Sequence, residues 1–296
     1  MEFPDQTLTA TPDPFLLAVV QMDPRLGDTH RNTDAILVGI AEAARTGAKA
    51  AIFPECALTG YVVDSIDQAR AIAIPLHGGP LVAISAACRQ HNLYAIIGAL
   101  ELDVETQDVY NSAWLVGPDG LVGCYRKTHL PVLGVDRFVT PGDSLPVFDL
   151  PFARVGVLIC YDLRFPEAAR ALALDGADLI AVPTNWPEGA ESAPEFLTRA
   201  RAWENRVYIA ACNRIGTERG VRFIGRSQIV SPDGRYLATA DENAAHILTA
   251  EIVPAQARNK RLVIRAGEFE LDPVGGRRPD LYRRLVTPAQ AAPERV

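Results

Sequence analysis

This sequence of 296 residues has no cysteine pairs at metal-binding spacing, no long apolar run and no surplus of positive charge. Its five cysteines, Cys56, Cys88, Cys124, Cys160 and Cys212, stand far apart without a CxxC or CxxH companion. That spacing leaves no zinc or other metal site to propose. An odd, scattered set also argues against a disulfide framework, so reduced thiols and a cytoplasmic location are expected. No uninterrupted apolar stretch approaches the roughly 20 residues that cross a bilayer, and Met1–Pro14 shows no basic start followed by an apolar core. Neither a membrane partner nor a signal peptide is expected. Lys and Arg number 29 against 36 Asp and Glu, a formal charge of -7 that opposes a nucleic-acid partner. What the chain has in quantity is apolar residues, 48%, ample for a buried core. A small, uncharged substrate fits this balance best.

The apolar segments read as alternating strands and helices. Strands are expected near 16–22, 50–53, 94–100, 110–116 and 121–125, with helices near 32–46 and 80–91. The pattern repeats with strands near 154–159, 178–182 and 207–212 and helices near 166–174 and 193–205. A Pro-Asp-Gly turn follows in each half, at Pro118-Asp119-Gly120 and at Pro232-Asp233-Gly234, and each marks a hairpin. A last strand is expected over 246–252. Two similar sheets packed face to face with helices outside would accommodate such a repeat. Residues 1–14 read as a flexible segment, 15–254 as the folded domain and 255–296 as a C-terminal extension, rich in arginine, that could contact a dimer partner.

Three of the strand ends carry reactive groups. Ile52-Phe53-Pro54 ends on Glu55, Cys124-Tyr125-Arg126 ends on Lys127, and Val157-Leu158-Ile159 ends on Cys160, just before a helix opened by Pro166. A free thiol ionises near about 8.5 and needs activation to attack a carbonyl. A neighbouring ammonium would favour the thiolate, and a carboxylate could take the thiol proton and return it to a leaving amine. Glu55, Lys127 and Cys160 supply those functions. The Tyr161 amide, at the start of the helix, could join Lys127 in binding the oxyanion.

These segments, with Val182-Pro183-Thr184-Asn185-Trp186-Pro187, Arg201-Ala202-Trp203-Glu204-Asn205-Arg206, Asn213-Arg214-Ile215-Gly216 and Gly225-Arg226-Ser227, resemble the nitrilase superfamily of carbon-nitrogen hydrolases along almost the whole chain. The resemblance implies a four-layer αββα sandwich that dimerises, with Glu55 as general base, Lys127 as oxyanion donor and Cys160 as nucleophile, and it implies no cofactor. Nitrilases usually follow the cysteine with Trp-Glu and carbamoyl hydrolases with Asn-Asp. Here Tyr161-Asp162-Leu163-Arg164-Phe165-Pro166-Glu167 is more similar to the amidase branches. An amidase acting on a small linear carboxamide through a thioester is therefore expected. Nitrile or N-carbamoyl hydrolysis, and a silent binding protein of the same fold, are the alternatives.

Many family amidases carry a second glutamate after the lysine. This chain has none in Val132–Phe138, and Asp136 is the nearest acidic substitute, either at the substrate site or paired with Arg137. Tyr61, Asn185 and Trp186 follow strand ends or turns and are candidate pocket walls. Arg164 and Glu167, three apart, are expected to pair with each other. His129 reads as structural, since lysine and glutamate already serve the thiol, and Cys56 reads as packing.

Overall fold

Strands that lack polar alternation need cover on both faces, and the central strands receive it. The computed structural model describes residues 12–287. In it β1 (Phe15–Gln21) leads through α1 (Thr29–Arg45) to β2 (Ala50–Ile52). A short α2 (Ile66–Ile72) and β3 (Ile74–Pro75) precede α3 (Gly79–His91). The antiparallel run β4 (Tyr94–Leu102), β5 (Val109–Gly117) and β6 (Gly120–Arg126) completes the first half. The second half follows with β7 (Val147–Leu150), β8 (Ala153–Val157), α4 (Pro166–Leu174), β9 (Leu179–Thr184), α5 (Thr198–Asn205) and β10 (Tyr208–Asn213). After a small hairpin of β11 (Thr217–Glu218) and β12 (Val221–Arg222) come β13 (Gln228–Val230) and β14 (Tyr236–Thr239). Finally β15 (His246–Ile252) rejoins the first sheet, followed by α6 (Pro254–Arg258) and a separate hairpin of β16 (Leu262–Arg265) and β17 (Phe269–Leu271).

The first sheet runs β15-β1-β2-β4-β5-β6, with β3 beside β4, and the second runs β14-β13-β10-β9-β8-β7. Along these orders each has two adjacent parallel pairings, β1–β2 and β2–β4 in one and β8–β9 and β9–β10 in the other, flanked by antiparallel neighbours, and β3 adds a third parallel pairing to the first sheet. The halves thus share one topology, as the repeated pattern and the paired Pro-Asp-Gly turns predict. Residue parity sorts the core. Leu17 and Val19 of β1 join Val157 and Ile209 of the second sheet, whereas Ala18 and Val20 pack on Ile36 and Ile40 of α1 and Ile84 of α3. The fold is a four-layer αββα sandwich.

Departures from the expected elements are local. The helix expected over 193–205 begins as a π-helical turn at Ala193–Leu197 before α5. The strand expected to reach residue 159 ends at Val157, because the Ile159 N–H turns to the Asp162 carboxylate, 2.9 Å away. α2, β7 and the two small hairpins carry no periodicity strong enough to announce them. Beyond residue 254, α6 packs onto the body, with Ala257 fully buried and Arg258 paired to Asp178 at 2.9 Å. Residues 1–11 of the expected flexible segment and 288–296 of the extension lie outside the described residues. No helix among the described residues is long and apolar enough to cross a membrane.

Candidate active site

The turn carrying Glu55 is sewn onto β4. Phe53 N donates to Ile96 O at 2.8 Å, Gly98 N to Pro54 O at 3.2 Å and Leu58 N to Gly98 O at 3.1 Å. Gly98 permits this approach, since a Cβ there would stand 2.6 Å from the Glu55 Cα. Lys127, just past β6, is held by its N–H on Asn111 O at 2.8 Å. Cys160 opens a 3₁₀ turn, Cys160–Arg164, that intervenes before α4, and its backbone is left-handed at φ +48°. Tyr161 therefore lies in the first turn of a 3₁₀ helix, not an α-helix; N–H groups there lack intrahelical partners.

Asp162 ties the nucleophile turn to the lysine segment. This wholly buried carboxylate accepts from Tyr125 Oη (2.7 Å), Ile159 N (2.9 Å), His129 N (3.0 Å) and Thr128 Oγ1 (3.2 Å), and pairs with His129 Nδ1 at 2.8 Å. The His129 ring stacks on Phe165 with centroids 3.8 Å apart. Its place is in this scaffold.

At the centre, Lys127 Nζ donates to Glu55 Oε1 at 2.8 Å and to Asp136 Oδ2 at 2.6 Å, and all three side chains are fully buried. Asn111 Nδ2 donates to the same two carboxylates, at 2.7 Å to Glu55 Oε1 and 2.8 Å to Asp136 Oδ1. Tyr61 Oη donates to Asp136 Oδ2 at 2.8 Å. Glu55 Oε2 has no protein partner. An ammonium has three N–H groups, so Lys127 has one beyond the two given to the carboxylates. Asp136 meets Lys127, while Arg137 donates to Gly134 O and Val63 O.

Burial lifts Glu55 above the usual carboxylate range despite the opposing pull of Lys127, and the Asp136 charge adds to the rise. Desolvation acts to lower Lys127, but Asp136 and Glu55 outweigh it and hold the ammonium well above its ordinary range. The Cys160 thiol is pushed up to about 12, chiefly by burial and then by the Glu55 charge, against smaller opposing effects of Lys127, the Thr184 side chain and the Asn185 backbone. The lysine thus favours the thiolate, as its position suggests, but does not by itself produce one. Proton removal must accompany attack.

Cys160 lines a cavity of about 410 Å³ whose walls include Pro131, Leu133, Tyr161, Leu163, Trp186 and Ala190, with Arg164 and Glu188 among its polar groups. A neighbouring cleft of about 560 Å³, formed by His129, Pro131, Tyr161 and Phe165, holds none of the buried ionic groups. Trp186 is a wall of the cysteine cavity, fixed by its N–H on Asn213 Oδ1 at 2.8 Å. Asn185 is wholly buried with both side-chain polar atoms unpaired. Tyr61 belongs to the ionic cluster, and its N–H and that of Val62 are held by Glu218 at 2.9 and 2.6 Å, itself paired with buried Arg214 at 2.7 Å. The expected Arg164–Glu167 pair does not form among the described residues: Phe165 leaves helical geometry at ψ 102°, so the two do not share one helix face. No group of three His, Cys, Asp or Glu among the described residues is arranged to hold a metal ion. Asn111 and Asp162 escaped the sequence reading as site residues, although a polar Asn111-Ser112 inside an apolar strand is a visible signal.

The chain matches the family model for carbon-nitrogen hydrolase over residues 16–262. A protein of Pyrococcus abyssi named as a nitrilase is 39% identical over 250 residues, 83% of this chain and 92% of the relative. An (R)-stereoselective amidase of a Pseudomonas species is 34% identical over 271 residues, 88% and 96% of the two chains. Among solved structures, an amidase from Nesterenkonia sp. has a TM-score of 0.76 at 25% identity, covering 95% of this chain and 100% of that one. In a mutant of the amidase from Nesterenkonia sp. AN1, the acetamide moiety of fluoroacetamide is covalently added at the active site cysteine.

Proposed function

The chain belongs to the carbon-nitrogen hydrolase family, and we propose that it hydrolyses a small linear carboxamide to carboxylate and ammonia. The observation that carries this reading is the convergence of three groups. Cys160 lines a cavity, Lys127 holds Glu55 Oε1 with an N–H to spare while Glu55 Oε2 is unpaired, and the charges of both act on the Cys160 thiol.

In this reading Cys160 Sγ attacks the amide carbon while its proton passes to Glu55 Oε2. The C–S bond forms, and the resulting oxyanion is met by Lys127 Nζ and the Tyr161 N–H. Collapse breaks the C–N bond as Glu55 returns the proton to the leaving nitrogen, releasing ammonia and leaving a thioester. Water then attacks, Glu55 takes its proton, and the C–S bond breaks to restore the thiol. Asp136 balances Lys127 and, through Tyr61, fixes the wall beside it. In this reading Asn185, with its unpaired amide, serves the substrate carboxamide, and Trp186 shapes the acyl pocket.

Ammonia release from short aliphatic amides, omega-amides and the matching nitriles, with wild type and Cys160→Ala, tests the proposal. Amide turnover that vanishes in the variant supports it. Nitrile turnover without amide turnover would favour the second reading, which the 39% identity to a protein named as a nitrilase supports. Silence on every substrate would favour an N-carbamoyl hydrolase or a binding protein.

A cytoplasmic homodimer belongs to the same proposal. Exposed Val263, Ile264, Phe269, Leu281 and Leu285 in the C-terminal extension support a dimer contact there. Light scattering on a chain truncated after Asn259 would contradict that contact by returning an unchanged dimer mass.

A further inference from the structure

One buried side chain touches both carboxylates yet takes no step in the scheme above. Asn111, on β5 and 1% exposed, gives one N–H of its amide to Glu55 Oε1 and the other to Asp136 Oδ1, at 2.7 and 2.8 Å. Its backbone carbonyl also accepts the Lys127 backbone N–H. Asn111 and Lys127 therefore bridge the same two acids. Glu55 Oε1 receives two donors and Oε2 none.

The chemistry selects asparagine. An NH₂ group presents two donors, a hydroxyl presents one and an ionised carboxylate presents none. The way the amide is turned is also fixed, because Cys56 Sγ lies 3.7 Å from Asn111 Oδ1. Burial and the Glu55 charge hold that thiol protonated, so it donates and the amide oxygen must face it. The NH₂ end is left toward the acids.

We infer that Asn111 is a positioning residue for the general base, loading Glu55 Oε1 so that Oε2 is the oxygen left to take the thiol proton. The inference rests on the assignment of Glu55 as base in the proposed reaction. The groups facing Glu55 are Lys127 from the end of β6, Asp136 from the 3₁₀ turn Gly134–Arg137, Cys160 from the nucleophile turn and Cys56 from its own turn, with Tyr61 reaching it through Asp136. Removing a donor from this set favours the protonated form of Glu55 and moves its titration upward.

Alkylation of Cys160 by iodoacetamide reads this without any amide turnover. The S–C bond forms as iodide leaves and the thiol proton passes to Glu55, and mass spectrometry of the Cys160 peptide gives the rate. Wild type, Asn111→Asp, Asn111→Ser and Glu55→Gln are compared from pH 5 to 9, each with its melting curve. Asn111→Asp, equal in shape but without the two donors, is expected to label about tenfold or more slowly at pH 7.5, the scale of one hydrogen bond to a charged group. Its rate should rise at higher pH than in wild type, and Asn111→Ser should fall between the two. A folded Asn111→Asp that labels like wild type, or more slowly by one constant factor at every pH, would overturn the inference. Should Asn111→Asp fail to melt cooperatively, the same criterion applies to Asn111→Ser. Equal labelling of Glu55→Gln and wild type would instead remove Glu55 as base. Silence in the amide panel beside the expected labelling would sink only the amidase reading.

Discussion

Lys127→Met keeps the length of the side chain and deletes the ammonium between two wholly buried carboxylates. Removing one partner of a buried ion pair costs about 3–5 kcal/mol. For a chain of 296 residues, an unfolding entropy of about 2.1 cal/mol/K per residue gives roughly 0.6 kcal/mol/K, so the melting temperature should fall by about 5–8 °C at pH 8. The sign of the pH dependence follows from linkage. Without the lysine, burial and the neighbouring Asp136 charge hold the folded-state pKa of Glu55 still further above its unfolded value. Folded protein then binds a proton more tightly, and the deficit is greatest where Glu55 would be ionised. It should shrink as pH falls through the raised value toward pH 5. Scanning calorimetry of both proteins at the two pH values measures this. An equal gap at pH 8 and pH 5 would refute the electrostatic argument and leave only lost packing. Turnover should fall by roughly 10²- to 10³-fold with the loss of one oxyanion donor.

Because burial lifts Glu55 above the usual carboxylate range, kcat/KM should rise with pH through a midpoint above that of an ordinary glutamate, and a midpoint within the ordinary range would contradict the assignment. Asp162→Asn turns an acceptor of several hydrogen bonds into a side chain with two donors of its own. It should lower the melting temperature by roughly 2–5 °C, from about 1–3 kcal/mol per unsatisfied group, and reduce kcat more than it raises KM. Gly98→Ala presses a methyl group onto the Glu55 Cα; turnover should drop about tenfold or more, consistent with the sensitivity of catalysis to small displacements, and wild-type kinetics in that variant would show that the turn can shift freely.

How much of this was legible depends on whether a residue's role is local. Glu55, Lys127 and Cys160 each end a recognisable apolar run, so their meeting could be anticipated from order along the chain. The two sheets were legible because their strands are continuously apolar and their hairpins carry the same turn residues. Asn111 was not, since its task depends on lying opposite two turns from elsewhere in the chain, which only strand register decides. Glu218 holds the Tyr61 segment across more than 150 residues, and no local pattern encodes that. The Arg164–Glu167 expectation failed because it assumed one continuous helix where Phe165 interrupts it. The Lys127 charge acts on the Cys160 thiol in the direction of ionisation, but sequence cannot weigh that field against burial, which prevails at the sulfur.

The left-handed backbone at Cys160 has a consequence for the history of the chain. An L-residue there is held at a penalty of about 1–2 kcal/mol that glycine largely escapes. Mutation to glycine would therefore relax the backbone at this turn while removing the thiol. A lineage that gave up hydrolysis would be free to lose the thiol early, before its core or its surface changed. For the same reason, an inert protein meant to hold an unreacted substrate is better made as Cys160→Gly than as Cys160→Ala, and the glycine variant should melt higher.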